Sequence, residues 1–188
     1  MDESDLIQLA VQHDEQAWET LMRTYQQPVF RLAYLFTGDP DEAEDVTQET
    51  FIRAFQFIDR FDPARSFRPW ILSVAANLAR NRLRGFKRYL AALQGAARRE
   101  PPPATGNSLV PTASEDAQAV WRTARKLSLE DQQVLYLRYF LELTEEETSA
   151  ALDVPPGTVK SRLHRAMGRL RARLEQEYPE TFRPVKHG

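Results

Sequence analysis

Residues 144–174, TEEETSAALDVPPGTVKSRLHRAMGRLRARL, read as two short helices joined by a tight turn, the second of them strongly basic. Thr144 with Glu147 three residues on is a capping-box pair, so the first helix starts there, with Thr148, Ala151 and Leu152 facing its partner. Pro155 and Pro156 end it, because each lacks a backbone donor and drives the preceding residue out of helical geometry, and they pre-set the angles of a new helix start. From Thr158 the apolar residues Val159, Leu163, Met167 and Leu170 recur at helical spacing and predict the buried face. The opposite face carries Lys160, Arg162, His164, Arg165, Arg169, Arg171 and Arg173.

A basic helix is often only a solvated surface. Residues 158–174, however, hold no Asp or Glu to lace the cations together, and they follow a short helix at a sharp turn, the layout of a helix that enters the DNA major groove. Such helices present their N-terminal residues to base edges. Lys160, Ser161, His164 and Arg165 are thus expected to read duplex DNA, and Arg169 to Arg173 to hold its backbone.

N-terminal to this motif, residues 101–114, PPPATGNSLVPTAS, lack helical periodicity and are rich in Pro, Ser, Thr and Gly, which marks a flexible linker. Before it, Ala17, Leu21, Tyr25, Val29, Leu32, Ala33 and Phe36 run at helical spacing up to Gly38. Asp39, Pro40 and Glu42 then start another helix as cap, first-turn proline and box partner, with an apolar stripe of Ala43, Val46, Thr50, Phe51, Ala54 and Phe55. A further helix runs from about Phe67 through Trp70, Ile71, Val74, Leu78 and Leu83. After the linker, Glu115 to Lys126 and Ser128 to Leu141 predict two helices ahead of the helix-turn-helix. No segment sustains a period of two. The expected fold is all-α, in two small helical domains joined by the flexible linker: 1–90, then 91–114 as linker, 115–176 with the helix-turn-helix, and a tail over 177–188.

The net charge of −2 hides a segregation. Residues 1–51 hold twelve Asp or Glu against Arg23 and Arg31, whereas residues 60–88 hold eight Lys or Arg against Asp62. An acidic surface suits a protein partner and basic ones suit nucleic acid. There is no cysteine, hence no disulfide framework, thiolate metal site or thiol nucleophile. His13, His164 and His187 are scattered, no phosphate loop is present, and the acidic pairs sit at helix starts where capping explains them, so an enzyme is not expected. No secretory signal or bilayer-length apolar run is seen, and a cytoplasmic chain without membrane insertion, metal or cofactor is the expectation.

A second nucleic-acid surface is expected over Asp59–Arg84, DRFDPARSFRPWILSVAANLARNRLR, which joins a proline loop and clustered aromatics to a basic helix. Aromatics beside arginine stack unpaired bases. Phe55, Phe67 and Trp70 at helical spacing fit a core more readily, with Phe55 and Trp70 assigned to packing first, which leaves Phe61, flanked by Arg60 and Asp62, as the candidate platform. Asn77, Arg80 and Arg84 fall on one helix face. On the preceding helix Asp45, Gln48, Glu49 and Arg53 form a polar stripe that spacing alone reads as solvated.

Three segments in order, GDPDEAEDVTQETFIRAFQFIDRFDP (38–63), FRPWILSVAANLARNRLR (67–84) and LTEEETSAALDVPPGTVKSRLHRAMGRLR (143–171), strongly resemble bacterial sigma factors of the extracytoplasmic-function group. The resemblance implies a transcription initiation factor without catalysis of its own, with core RNA polymerase and promoter DNA as partners and an anti-sigma factor as a further one. It implies that Asp45, Gln48, Glu49 and Arg53 contact the polymerase. Phe61, Arg65 and Phe67 would belong to a loop capturing a flipped base of the −10 non-template strand, with Asn77, Arg80 and Arg84 contacting the same element. Thr158, Lys160, Ser161, Arg162, His164 and Arg165 would meet the −35 duplex, where His164 departs from residues common in relatives.

Promoter elements two duplex turns apart lie roughly 70 Å from each other. A linker of about 25 residues spans roughly 85 Å at full stretch. Left free it averages about 25 to 30 Å, so the polymerase must set the spacing. The rival reading is a stand-alone helix-turn-helix regulator that binds duplex DNA and never melts it.

Overall fold

The computed structural model describes residues 3–94 and 114–182, which group into two compact units. Most of the expected linker and residues 183–188 of the tail lie outside the described residues. Every regular element among the described residues is helical.

The first unit contains α1 (Glu3–Val11), α2 (Glu15–Thr37), α3 (Pro40–Phe57), a 3₁₀ turn (Ile58–Arg60) and α4 (Phe67–Gln94). Caps place the breaks. Asp14 accepts the Ala17 N–H at 2.8 Å to open α2, and Gly38, left-handed at φ 70°, closes it by donating its N–H to the Tyr34 carbonyl at 2.8 Å. Asp39 caps α3 through the Glu42 N–H, with Pro40 at the first turn. The expected box partner is replaced: the Asp39 N–H turns to Thr37 Oγ1, and the Glu42 carboxylate points across to Arg82. The core forms where Leu21, Val29, Leu32 and Phe36 of α2 meet Val46, Phe51 and Ala54 of α3 and Ile71, Leu72, Ala75, Ala76 and Ala79 of α4. The run of alanines lets the helices approach closely. α1 was not anticipated, and its nine residues bury Leu6, Ile7 and Ala10.

The second unit contains α5 (Glu115–Ala124), α6 (Leu129–Leu135), a π-helical turn (Tyr136–Phe140), α7 (Glu145–Leu152) and α8 (Pro156–Glu177). Ser114, Ser128 and Thr144 cap α5, α6 and α7, and Thr144 with Glu147 forms the full reciprocal box. The expected single helix over Ser128 to Leu141 is instead α6 followed by the wide turn, in which the Leu141 N–H reaches the Tyr136 carbonyl five residues back. α7 closes on Asp153, left-handed at φ 51°, and α8 opens at Pro156.

The buried stripe of α8 differs from the expected one. Val159, Ala166, Leu170 and Leu174 are buried, Leu163 is half-buried, and Met167 is 38% exposed. Alanine at 166 lets α8 lie close on its neighbours, and this rotates Met167 out. Among the described residues no helix is long and apolar enough to cross a membrane.

Candidate functional site

The residues expected to meet duplex DNA lie on the first turns of α8, along one face. Lys160, Ser161, His164 and Arg165 are exposed, with Thr158 and Arg162 half-buried at its edge. Ser161 Oγ donates to the Thr158 carbonyl at 3.1 Å and Arg165 Nε to the Ser161 carbonyl at 3.2 Å, which ties both side chains along the helix. Arg169 departs from its expected role as a backbone anchor. Its Nε and Nη2 donate to Asp131 Oδ2 and Oδ1 at 2.8 and 2.6 Å, a two-pronged pair from α8 to α6. The Asp131 side chain is 8% exposed. Burial by itself would raise its pKa, but hydrogen bonds from Arg169 and Ser128 and the positive charge of Arg169 and Arg165 hold the carboxyl below its ordinary range. A second tie sits at the far end of α8, where Lys126 Nζ lies 2.8 Å from Glu177 Oε2 and Thr123 Oγ1 donates to the same oxygen at 3.2 Å. Hydrogen bonding to Lys126 lowers the Glu177 pKa against the opposing effect of burial.

The Phe61 expectation requires correction. Phe61 is 5% exposed and Phe67 fully buried, so neither is presented to a ligand as a surface platform. Their rings meet edge to face at 5.6 Å; Trp70 lies 4.9 Å from Phe61 and 5.2 Å from Phe67, and Tyr25 lies 5.3 Å from Phe67. Flanking charges do not keep a ring at the surface, because burying a phenylalanine gains roughly 1.5 to 3 kcal/mol wherever its neighbours can stay wet. Arg60 and Asp62 do stay exposed. Phe61 and Phe67 pin the two ends of the loop, and its tip, tightened by the Ala64 N–H on Asp62 Oδ1 and the Arg65 N–H on the Asp62 carbonyl, presents Arg65. Trp70 is half-buried among these rings, as its packing assignment requires. Phe55 combines both behaviours, stacked on Trp18 at 5.5 Å yet 43% exposed.

Along α4, Asn77 and Arg84 are exposed, and Arg80 Nη2 donates to Asn77 Oδ1 at 3.0 Å. On α3 the polar stripe is partly paired, Arg53 with Glu49 of the same helix at 2.6 Å and Asp45 with Arg82 of α4 at 3.4 Å. These residues and Gln48 border a shallow depression that also takes in Ile52 and Phe57, 58% and 43% exposed. Neither is among the residues that the sequence motifs single out. Their signal was available, since they are large apolar residues out of phase with the buried stripe of α3.

A chain whose described elements are all helical, with a helix-turn-helix in one unit and a loop rimmed by arginines in the other, fits the class of DNA-binding transcription proteins. Residues 21–99 match the Sigma-70 region 2 family and residues 117–170 the Sigma-70, region 4 family. The ECF RNA polymerase sigma factor SigW of Bacillus subtilis is 33% identical over 171 residues, covering 86% of this chain and 90% of that one. Among solved structures, CnrH in complex with the cytosolic domain of CnrY superposes with a TM-score of 0.71 at 23% identity, over 93% of this chain and 98% of that one. The sigma factor RpoE in complex with the anti-sigma factor NepR from Bartonella quintana gives 0.66 at 21% identity, over 84% and 96%. The chain belongs to the extracytoplasmic-function RNA polymerase sigma factors. It directs promoter-specific initiation by RNA polymerase, and the stand-alone regulator reading is set aside, because a region 2 family accounts for the N-terminal unit.

Proposed function

We propose that the two units divide promoter recognition between them. The stripe of Asp45, Gln48, Glu49 and Arg53, extended by exposed Ile52 and Phe57, docks on core polymerase. The Arg65 loop tip, with Asn77, Arg80 and Arg84 along α4, takes the −10 non-template strand, while Phe61 and Phe67 hold that loop in shape from beneath. Thr158, Lys160, Ser161, Arg162, His164 and Arg165 meet the −35 duplex. What carries this reading is the pairing of an acid-free reading face on α8 with a separate arginine-rimmed loop set on an aromatic core. Extruding a base costs a few kcal/mol, which stacking and hydrogen bonding offset, so opening starts at one or two positions. The chain supplies no bond chemistry and works in the cytoplasm. The solved neighbours bound to CnrY and to an anti-sigma factor support a partner of that kind here, one that masks these surfaces.

The test adds the chain to core polymerase on a promoter library and measures start-site-specific transcripts; no stimulation over core alone sinks the reading. Asn77→Ala is expected to slow open-complex formation on duplex promoters far more than on pre-melted ones. Phe61→Ala, which removes core packing worth about 3 to 5 kcal/mol, is expected to harm both templates alike.

A further inference from the structure

Among the described residues of the C-terminal unit, two large apolar side chains stand in solvent, Tyr139 at 57% and Met167 at 38% exposure. Both border one shallow depression, together with half-buried Leu163. Its remaining side chains include Lys160, His164 and Arg165, and no carboxylate lines it. Tyr139 reaches this place through the π-helical turn. With Tyr136, Leu137 and Leu141 directed inward, the widened turn leaves Tyr139 facing out beside α8. It lies outside the reading helix, so helical periodicity on α8 does not reveal it.

We propose that Tyr139, with Leu163 and Met167, forms an apolar shelf that seats the C5-methyl group of a thymine in the −35 duplex. The proposal rests on the reading of α8 as the duplex-binding helix. Duplex DNA suits the lining because it offers dense negative charge and, in the major groove, a projecting methyl group within a few ångströms of each other. Cations without a single acid answer the first, and the shelf answers the second. A methyl contact separates thymine from cytosine, whose edge carries no such group. Lys160 and His164 recognise hydrogen-bonding groups, and Tyr139 adds a discrimination they do not supply.

Holoenzyme assembled from core polymerase and the full chain is bound to promoter duplexes whose −35 element has been selected from a randomised pool. Each thymine is then replaced singly by deoxyuridine, which lacks only the methyl group. At one position the replacement is expected to weaken wild-type binding about four-fold, the worth of one buried methyl group. Tyr139→Ala is expected to bind thymine and uracil there equally, and Tyr139→Phe to keep the discrimination. Because Tyr139 is exposed, Tyr139→Ala is expected to melt at the wild-type temperature, which separates a lost contact from a lost fold. A selected element without thymine, or a uracil scan identical in wild type and Tyr139→Ala, overturns the shelf and leaves α8 as the reading helix. Binding that ignores the −35 sequence and is unmoved by Lys160→Ala overturns both.

Discussion

Asp131 shows how one side chain can decide what a neighbouring surface is able to do. Its carboxylate takes both prongs of Arg169, so a cation that sequence assigns to DNA backbone is committed within the protein and fixes the roll of α8 about its axis. Asp131→Asn keeps the shape and removes the charge, and is expected to cost the C-terminal unit about 1 to 2 kcal/mol at neutral pH. The sign with pH follows from the lowered pKa. The folded carboxyl titrates below its unfolded value of about 3.9, so the stabilisation is complete above that pH and disappears as the pH falls through the folded value. Urea unfolding of wild type and variant is expected to differ at neutral pH and to converge in acid. A gap that persists in acid would assign the effect to shape instead of charge. None of this was legible from residues 158–174, because absence of acids within a helix says nothing of an acid contributed by another helix 38 residues away in sequence.

The elements were legible where backbone chemistry is local. Thr144 with Glu147, Asp39 with Pro40, and Gly38 mark helix ends through groups at most a few residues apart, and the structure uses each as a cap or helix start. Thr144→Ala removes the acceptor for the Glu147 N–H and is expected to destabilise the C-terminal unit by about 1 kcal/mol, leaving the N-terminal unit's hydrogen-exchange protection unchanged. Loss of protection in both units would mean that they do not respond independently. The π-helical turn escaped prediction for the opposite reason. Residues 136–140 carry an ordinary helical pattern, and the wider register arises because Tyr136, Leu137, Leu141 and Leu143 must all enter one core. Likewise the stripe of α8 was misassigned at Met167 because Leu, Met and Ala all fit a helical face, and only the neighbouring helices select alanine for close approach.

For the whole molecule, most of the linker expected over 91–114 lies outside the described residues, and its reach follows from its length alone. About 25 residues have a contour of roughly 85 Å, a little beyond the roughly 70 Å between promoter elements two duplex turns apart. Relaxed, a chain of that length averages only about 25 to 30 Å, so holding both elements at once costs free energy that the polymerase must offset. The free chain is therefore expected to give no footprint across both elements, and to give one when core polymerase is added. Binding of the −35 duplex by the holoenzyme is expected to weaken with salt, and Lys160→Ala to reduce the slope of log affinity against log salt by about 0.9, one released counterion. An unchanged slope would place Lys160 away from the duplex.

Capping, helical periodicity and charge runs are properties of neighbouring residues, so the chain alone announces most of the helices and their breaks, the division into two units and the basic character of α8. Packing between elements places Phe61 inside, binds Arg169 to Asp131 and sets Tyr139 beside Lys160 and His164. Each of those outcomes depends on which distant side chains compete for the same buried space or the same charge, and chain-local patterns carry no record of that competition.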